Sequence, residues 1–239
     1  MSQFVGRLEG AGEGAGERSG GPGTLTGRAY ELLRGDIVAG VLPPGSKLKI
    51  EVLRERYGIG ASPLREALNR LCAEELVLQP EQRGFEVAPV SLSDLEELTQ
   101  TRCWLNEIAF RESIERGDEA WEEEVVLAYH WLSRLAVPRP DAPADEIARW
   151  EVRHRRFHAA LIAACPSRWL RAFSEMLFDR ADRYRNLAGS TRGAPERDIA
   201  GEHRQLMEAV IGRDTARAVA LMDEHIRATT RAIMGARAS

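Results

Sequence analysis

Five histidines occur in the chain, and four of them fall on the core-facing side of helical patterns. His154 and His158 stand one turn apart in a stripe completed by Ile147, Trp150, Phe157 and Leu161, so both imidazoles point the same way. His203 belongs to the stripe Ile199, Leu206, Met207 and Val210, and His225 to the stripe Ala218, Leu221 and Thr229. His130 reads as a surface residue. Four buried imidazoles with no common partner need four separate hydrogen-bonding solutions, whereas one divalent cation satisfies all of them. The spacing therefore predicts one metal site built by His154, His158, His203 and His225 from three helices. Imidazole nitrogen suits zinc, with nickel as the second candidate.

Arg102 interrupts a further apolar stripe, Leu95, Leu98, Leu105 and Ala109. A buried guanidinium is costly unless paired, so Arg102 either meets an internal acid or waits for an anionic ligand. Four neutral nitrogens leave an ion's charge uncompensated, which favours a small carboxylate as that ligand. Arg183 and Tyr184 are candidates for its far end, with core packing or surface exposure as the alternative for each. Two rival readings stay open on the residues alone. A His cluster can activate water in a metal-dependent hydrolase-like enzyme, although the inward faces of the His-bearing helices carry no carboxylate and Glu202 points elsewhere on its helix. The metal could also be purely structural.

Helical periodicity supplies the elements that must hold these groups. Ser93-Asp94-Leu95-Glu96 reads as a capping box opening the Arg102 helix. The next helix runs over 118–136 with Trp121, Val125, Ala128, Leu132 and Leu135 inward, and a loop over 138–143 leads to the His154 helix. Pro166 and Ser167 start a long helix with Leu170, Phe173, Leu177 and Tyr184 inward and Trp169 and Met176 flanking them. Loops at Gly189–Pro195 and Gly212-Arg213-Asp214 set off the last two helices. Residues 89–239 are thus expected to form an all-helical metal- and effector-binding domain.

The preceding segment reads differently. Leu25, Ala29, Leu32, Leu33 and Ile37 mark a helix that Gly40 stops, Ile50 and Leu53 mark a second that Gly58 ends, and a third begins at Ser62, which can cap it, with Pro63 in the first turn. Leu64, Ala67, Leu68 and Leu71 form its apolar face. Two short helices joined by a glycine-containing turn are the helix-turn-helix arrangement, whose second helix enters the major groove. That helix offers Ser62, Arg65, Asn69 and Arg70 to DNA. A two-stranded hairpin, 76–80 and 85–88, follows, and its tip presents Arg83 and Gly84 to a minor groove or phosphate. Residues 24–88 are therefore expected to be a winged helix-turn-helix, and the fold class mainly α.

Composition limits the alternatives. At 239 residues there is room for two domains of roughly 100–200 residues each. Hydrophobic residues make up 44% and charged residues 29%, and no apolar run approaches the roughly 18 residues of a membrane span, so a soluble protein with no membrane contact is expected. Eight glycines in the first 23 residues, with no apolar core of a secretory signal, read as a disordered tail. Cys72, Cys103 and Cys165 form an odd set without CxxC spacing, as free thiols in the cytoplasm would. Net charge is −4, and residues 24–88 balance nine Lys/Arg against nine Asp/Glu. Placement of charge, not its total, must carry DNA binding.

The runs Val41-Leu42-Pro43-Pro44-Gly45-Ser46-Lys47-Leu48, Ser62-Pro63-Leu64-Arg65-Glu66-Ala67-Leu68-Asn69-Arg70-Leu71 and Gln82-Arg83-Gly84-Phe85-Glu86-Val87 resemble the GntR family of bacterial regulators. The resemblance implies that Arg65 contacts DNA and that Gly84 is the wing glycine. Ala61 departs from the family, where an Arg or other polar residue is common, so one base contact is lost. His154-x-x-Phe157-His158, Glu202-His203 and His225 resemble the FCD effector domain of FadR-subfamily members. Metal-bearing relatives commonly use one Asp and three His; His158, His203 and His225 fall on the His positions, and His154 replaces the Asp. The run Ala61–Leu68, with Arg153-His154, Phe157-His158, Ala181 and Arg183-Tyr184-Arg185, looks like the carbon-starvation-induced regulators, which respond to a short dicarboxylate. The expectation is a repressor, acting as a homodimer on an inverted repeat of operator DNA under control of a small carboxylate or dicarboxylate. One recognition helix alone supplies too little specificity.

Overall fold

Thr24 accepts a hydrogen bond from the Gly27 N–H at 3.1 Å and so opens α1 (Leu25–Val38), whose Ala29, Leu33 and Ile37 are fully buried. The computed structural model describes residues 23–80, 84–139, 141–188 and 197–238. The tail over 1–22, Arg83 and the Gly189–Pro195 loop lie outside the described residues.

β1 (Lys47–Leu48) precedes α2 (Ile50–Tyr57), which Gly58 closes at φ 65 while donating its N–H to the Arg54 carbonyl at 2.9 Å. α3 (Ala61–Ala73) packs its Leu64, Leu68 and Leu71 on α1. Its N-cap is Gly60, without a side-chain cap, so Ser62 does not cap the helix as expected. Ser62 sits inside the first turn and is exposed. The wing also has one strand more than the expected hairpin. β2 (Val77–Leu78) and β3 (Phe85–Val87) pair as foreseen, and β1 joins the other edge of β3, Leu48 opposite Phe85, in the order β1-β3-β2. A two-residue strand is too short to show alternation in sequence.

Six helices follow: α4 (Leu92–Arg116), α5 (Glu119–Ser133), α6 (Ala144–Leu161), α7 (Arg168–Ala188), α8 (Ile199–Ile211) and α9 (Thr215–Ala238). Ser91, not Ser93, caps α4, since its hydroxyl accepts from the Asp94 N–H at 3.0 Å. α4 lies against α9 and α7, α5 against α6 and α8, and α8 against α9, with Phe110, Phe157, Leu161, Leu206 and Ile226 buried between them. On α7 the expected inward Phe173 is 45% exposed, whereas Phe178 is buried, as is the expected Tyr184. α7 serves two partners, α4 and α9 on one side and α1 of the N-terminal domain on another, so no single stripe describes it.

Candidate metal centre and DNA-reading surface

α6 contributes His154 and His158, α8 His203 and α9 His225, and one ligand nitrogen from each lies within 4.8 Å of all the others. His154 Nε2 and His158 Nε2 are 3.0 Å apart. Trp150 stacks on His154 at 4.4 Å, and Phe157 and Phe178 pack against the cluster at 5.4 Å from His203 and 5.5 Å from His154. This apolar jacket has an electrostatic consequence. Desolvation first, with repulsion from neighbouring imidazoles and guanidiniums, holds His154, His158 and His203 below the usual imidazole pKa, and desolvation outweighs the opposing hydrogen bond with Glu202 to lower that of His225. They are neutral near pH 7, so each ring keeps one nitrogen with a lone pair. His154 Nδ1 and His203 Nε2 are buried without a hydrogen bond, an arrangement that a shared cation relieves. The residues present therefore fit a divalent ion.

Glu202 corrects an expectation. It does not point away: its Oε2 lies 2.7 Å from His225 Nδ1. Arg197 grips the same carboxylate through Nε at 2.7 Å and Nη2 at 2.6 Å, and donates to the His225 carbonyl at 3.0 Å. Burial alone would raise the Glu202 pKa, but the hydrogen bonds from His225 and Arg197 prevail and hold it at about 2. An ionised partner on Nδ1 fixes the ring and leaves Nε2 as its free lone pair. Glu202 stands one position before the His203 stripe, yet its long side chain spans the gap from α8 to α9.

Arg102 is 8% exposed, and its guanidinium makes no hydrogen bond or ion pair among the described residues. It lines a cavity of about 350 Å³ with Asn106, Arg155, His158, Ser174 and Phe178. Desolvation, helped by the charge of Arg185 and opposed by Asp182, lowers its pKa to about 10, so it stays cationic near neutrality. The Ser174 hydroxyl is likewise buried and unpartnered. Arg183 and Tyr184 are elsewhere. Arg183 donates to the Ala88 carbonyl at the junction between domains and Tyr184 to Asp94 on α4, so neither lines the Arg102 cavity. Arg155 and Asp182, which the sequence does not single out, and Arg185, which it offers only within the Arg183-Tyr184-Arg185 run, are charged groups beside Arg102 and the histidines.

On α3, Ser62, Arg65, Asn69 and Arg70 are all exposed. Arg65 and Asn69 are free of hydrogen bonds and ion pairs among the described residues. Arg70 lies over the Tyr30 ring at 4.0 Å, so its guanidinium is already oriented. Gly84 has φ 80, a left-handed conformation that only glycine adopts freely.

Comparison with known proteins places both halves. Residues 25–87 match the family model described as bacterial regulatory proteins, gntR family, and residues 97–228 match the FCD domain. The chain belongs to the GntR family and carries an FCD domain. It is 39% identical over 206 residues to the HTH-type transcriptional regulator BphR of Paraburkholderia xenovorans, covering 86% of this chain and 84% of that protein. It is 38% identical over 200 residues to the HTH-type transcriptional repressor GlaR of Escherichia coli, covering 82% and 90%. Among solved structures, E. coli McbR/YncC superposes with TM-score 0.72 at 21% identity over 89% of this chain and 98% of that one. A putative GntR regulator from Rhodococcus sp. RHA1 gives 0.68 at 19% identity over 88% and 97%. These likenesses carry the fold. The regulator is a DNA-binding transcriptional protein of a family of regulators, not enzymes, which sets aside the hydrolase reading. No helix among the described residues is long and apolar enough to cross a membrane.

The histidine environment generates a pH prediction. Each imidazole has a folded pKa below its unfolded value of about 6.5, so the unfolded chain binds more protons in that window. The stabilisation is full above about pH 6.5 and is lost as the pH falls through it. Metal-stripped regulator should melt at steadily lower temperature from about pH 7 to 5.5, with a shallower slope in His203→Ala. A melting temperature that is flat across that interval contradicts the neutral, buried cluster.

Proposed function

We propose that the regulator is a homodimeric repressor whose affinity for an inverted-repeat operator is set by a short carboxylate or dicarboxylate, bound in the Arg102 cavity beside a divalent metal ion. His154, His158, His203 and His225 would hold the ion, zinc in the first instance and nickel in the second. The one observation that carries the ligand class is Arg102, a buried cation with no hydrogen bond or ion pair among the described residues, at the wall of a cavity that His158 also lines. An unpaired buried guanidinium is destabilising on its own, and an anion in the cavity removes that penalty. Bidentate contact would also orient the carboxylate. An ion on the four nitrogens would supply positive charge with coordination positions left for an anionic ligand. Ser174 and Asn106 offer hydrogen bonds to a second polar end, and Phe178 covers the apolar middle. The cavity volume, about 350 Å³, suits a small molecule. The word repressor in the name of the GlaR relative supports the sign of regulation.

For DNA, Arg65 is the residue assigned to a base, supported by its exposure on the reading helix and by the family motif around it. Arg70 and Ser62 stand beside it for phosphate or base contact, Asn69 for a base edge, and Arg83 and Gly84 for the wing.

Two outcomes are expected. Arg65→Ala should weaken operator binding by roughly 1–3 kcal/mol in gel-shift titrations at fixed salt; equal binding by wild type and variant would remove Arg65 from the interface. Calorimetry with malonate, succinate, glutarate and adipate should show binding to the metal-replete protein that weakens both after metal stripping and in Arg102→Ala. Equal affinity in the three preparations would mean that neither the ion nor Arg102 holds the ligand.

A further inference from the structure

Helix α7 carries two sets of polar contacts on different sides. Arg180 donates to the Glu74 carbonyl at 2.9 Å, Arg183 to the Ala88 carbonyl and Asn186 to the Val38 carbonyl at 2.9 Å, all in or next to the DNA-binding domain. Ser174, Glu175 and Phe178 line the Arg102 cavity, and Asp182 and Arg185 pair with one another beside it. Asp179 lies on the boundary. One of its oxygens meets Arg155 from the cavity wall and the other meets Arg34 from α1.

We infer that Asp179 is the ionic joint through which the cavity acts on the DNA-binding domain, with Arg155 its partner on the cavity side and Arg34 its partner on α1. This rests on the carboxylate reading given above. Arg155 spans Asp179 and Asp182, the latter at 2.8 Å, so its guanidinium is the one cavity-lining group that also holds the joint. Charge around the cavity is unbalanced. The described lining carries Arg102, Arg155 and Arg171 against Glu175, three cations against one anion, and the Arg185–Asp182 pair beside it adds one of each. Three of those cations crowd one ring: Arg102, Arg155 and Arg185 stand 5.6, 5.0 and 5.2 Å from the Phe178 centroid.

A carboxylate entering beside Arg102 supplies the missing negative charge and competes with Asp179 for Arg155. Asp179 is then held by Arg34 alone, and the pull on α1 changes. α1 packs directly on α3, the reading helix, so a shift there reaches the DNA-binding surface. The main-chain contacts of Arg180, Arg183 and Asn186 do not touch the cavity and keep α7 docked in either state. Side chains of Arg34 and Asp179 are 24% and 16% exposed, so solvent screens their pair less than a surface pair. A ligand can bias DNA binding only by interacting differently with two arrangements, and this shared carboxylate provides two.

The experiment measures operator affinity, on a duplex selected by the wild-type protein from a random pool, with and without a saturating member of the malonate-to-adipate series. Wild type should show a ratio of roughly 5- to 150-fold, falling to within about twofold of unity in Asp179→Asn and in Arg34→Gln. Arg34→Lys, which keeps the cation, should restore part of the ratio. Calorimetry on Arg34→Gln without DNA should still detect the carboxylate, because Arg34 does not line the cavity. A wild-type ratio retained in Asp179→Asn and Arg34→Gln, or a wild-type ratio of one despite carboxylate binding, overturns the joint while leaving the ligand site standing. No binding by wild type from the whole series, extended to the monocarboxylates acetate, butyrate and lactate, contradicts the proposed function, and the joint with it.

Discussion

Imidazoles whose nitrogens lie within 4.8 Å of one another stay buried at low cost only if they stay neutral and their nitrogens find partners. That constraint organises the helical domain. Three helices must converge so that α6, α8 and α9 each present nitrogen at one point, and aromatic rings from α6 and α7 must close around it. The clamp of Arg197 and Glu202 on His225 answers the same need from outside. It places a full negative charge one ring away from a centre whose own donors carry none. The cluster thus has a carboxylate beside it that does not itself enter it.

The second consequence concerns positive charge. The four clustered side chains carry no carboxylate and their neighbourhood is rich in guanidinium; among the described residues Arg102 forms no ion pair, with Asp182 acting on it only at longer range. A core that contained only stabilising interactions would replace it with an apolar residue. Its position at the wall of a cavity is what supports the proposed anionic ligand, and a ligand biases a protein only where it interacts differently with two arrangements. α7 links this local deficit to the N-terminal domain because it is in contact with both.

Periodicity made much of this legible. Four histidines and Arg102 interrupt apolar stripes at helical spacing, and a helix places such residues inward whatever they contact next. The winged helix-turn-helix was equally open to reading, from its capping glycines and short amphipathic segments. What stayed hidden involves reach and pairing across sequence. Glu202 is one residue off its stripe and acts through side-chain length. Arg155, Asp179 and Asp182 look like solvent-facing charges until α6 and α7 are packed together. Phe173 and Phe178 exchanged places because α7 buries two faces, which a single-stripe reading cannot represent. Ser91 and Ser93 are both competent caps by type, and only the path of the chain selects the first.

The most direct measurement is X-ray absorption at the metal edge of regulator prepared with excess zinc and then freed of unbound ion. One ion per chain, with an inner shell dominated by nitrogen at about 2.0–2.1 Å and the multiple-scattering signature of several imidazoles, is the result expected from His154, His158, His203 and His225. Protein without stoichiometric zinc or nickel, or an inner shell of oxygen or sulfur without imidazole scattering, would contradict the account at its centre.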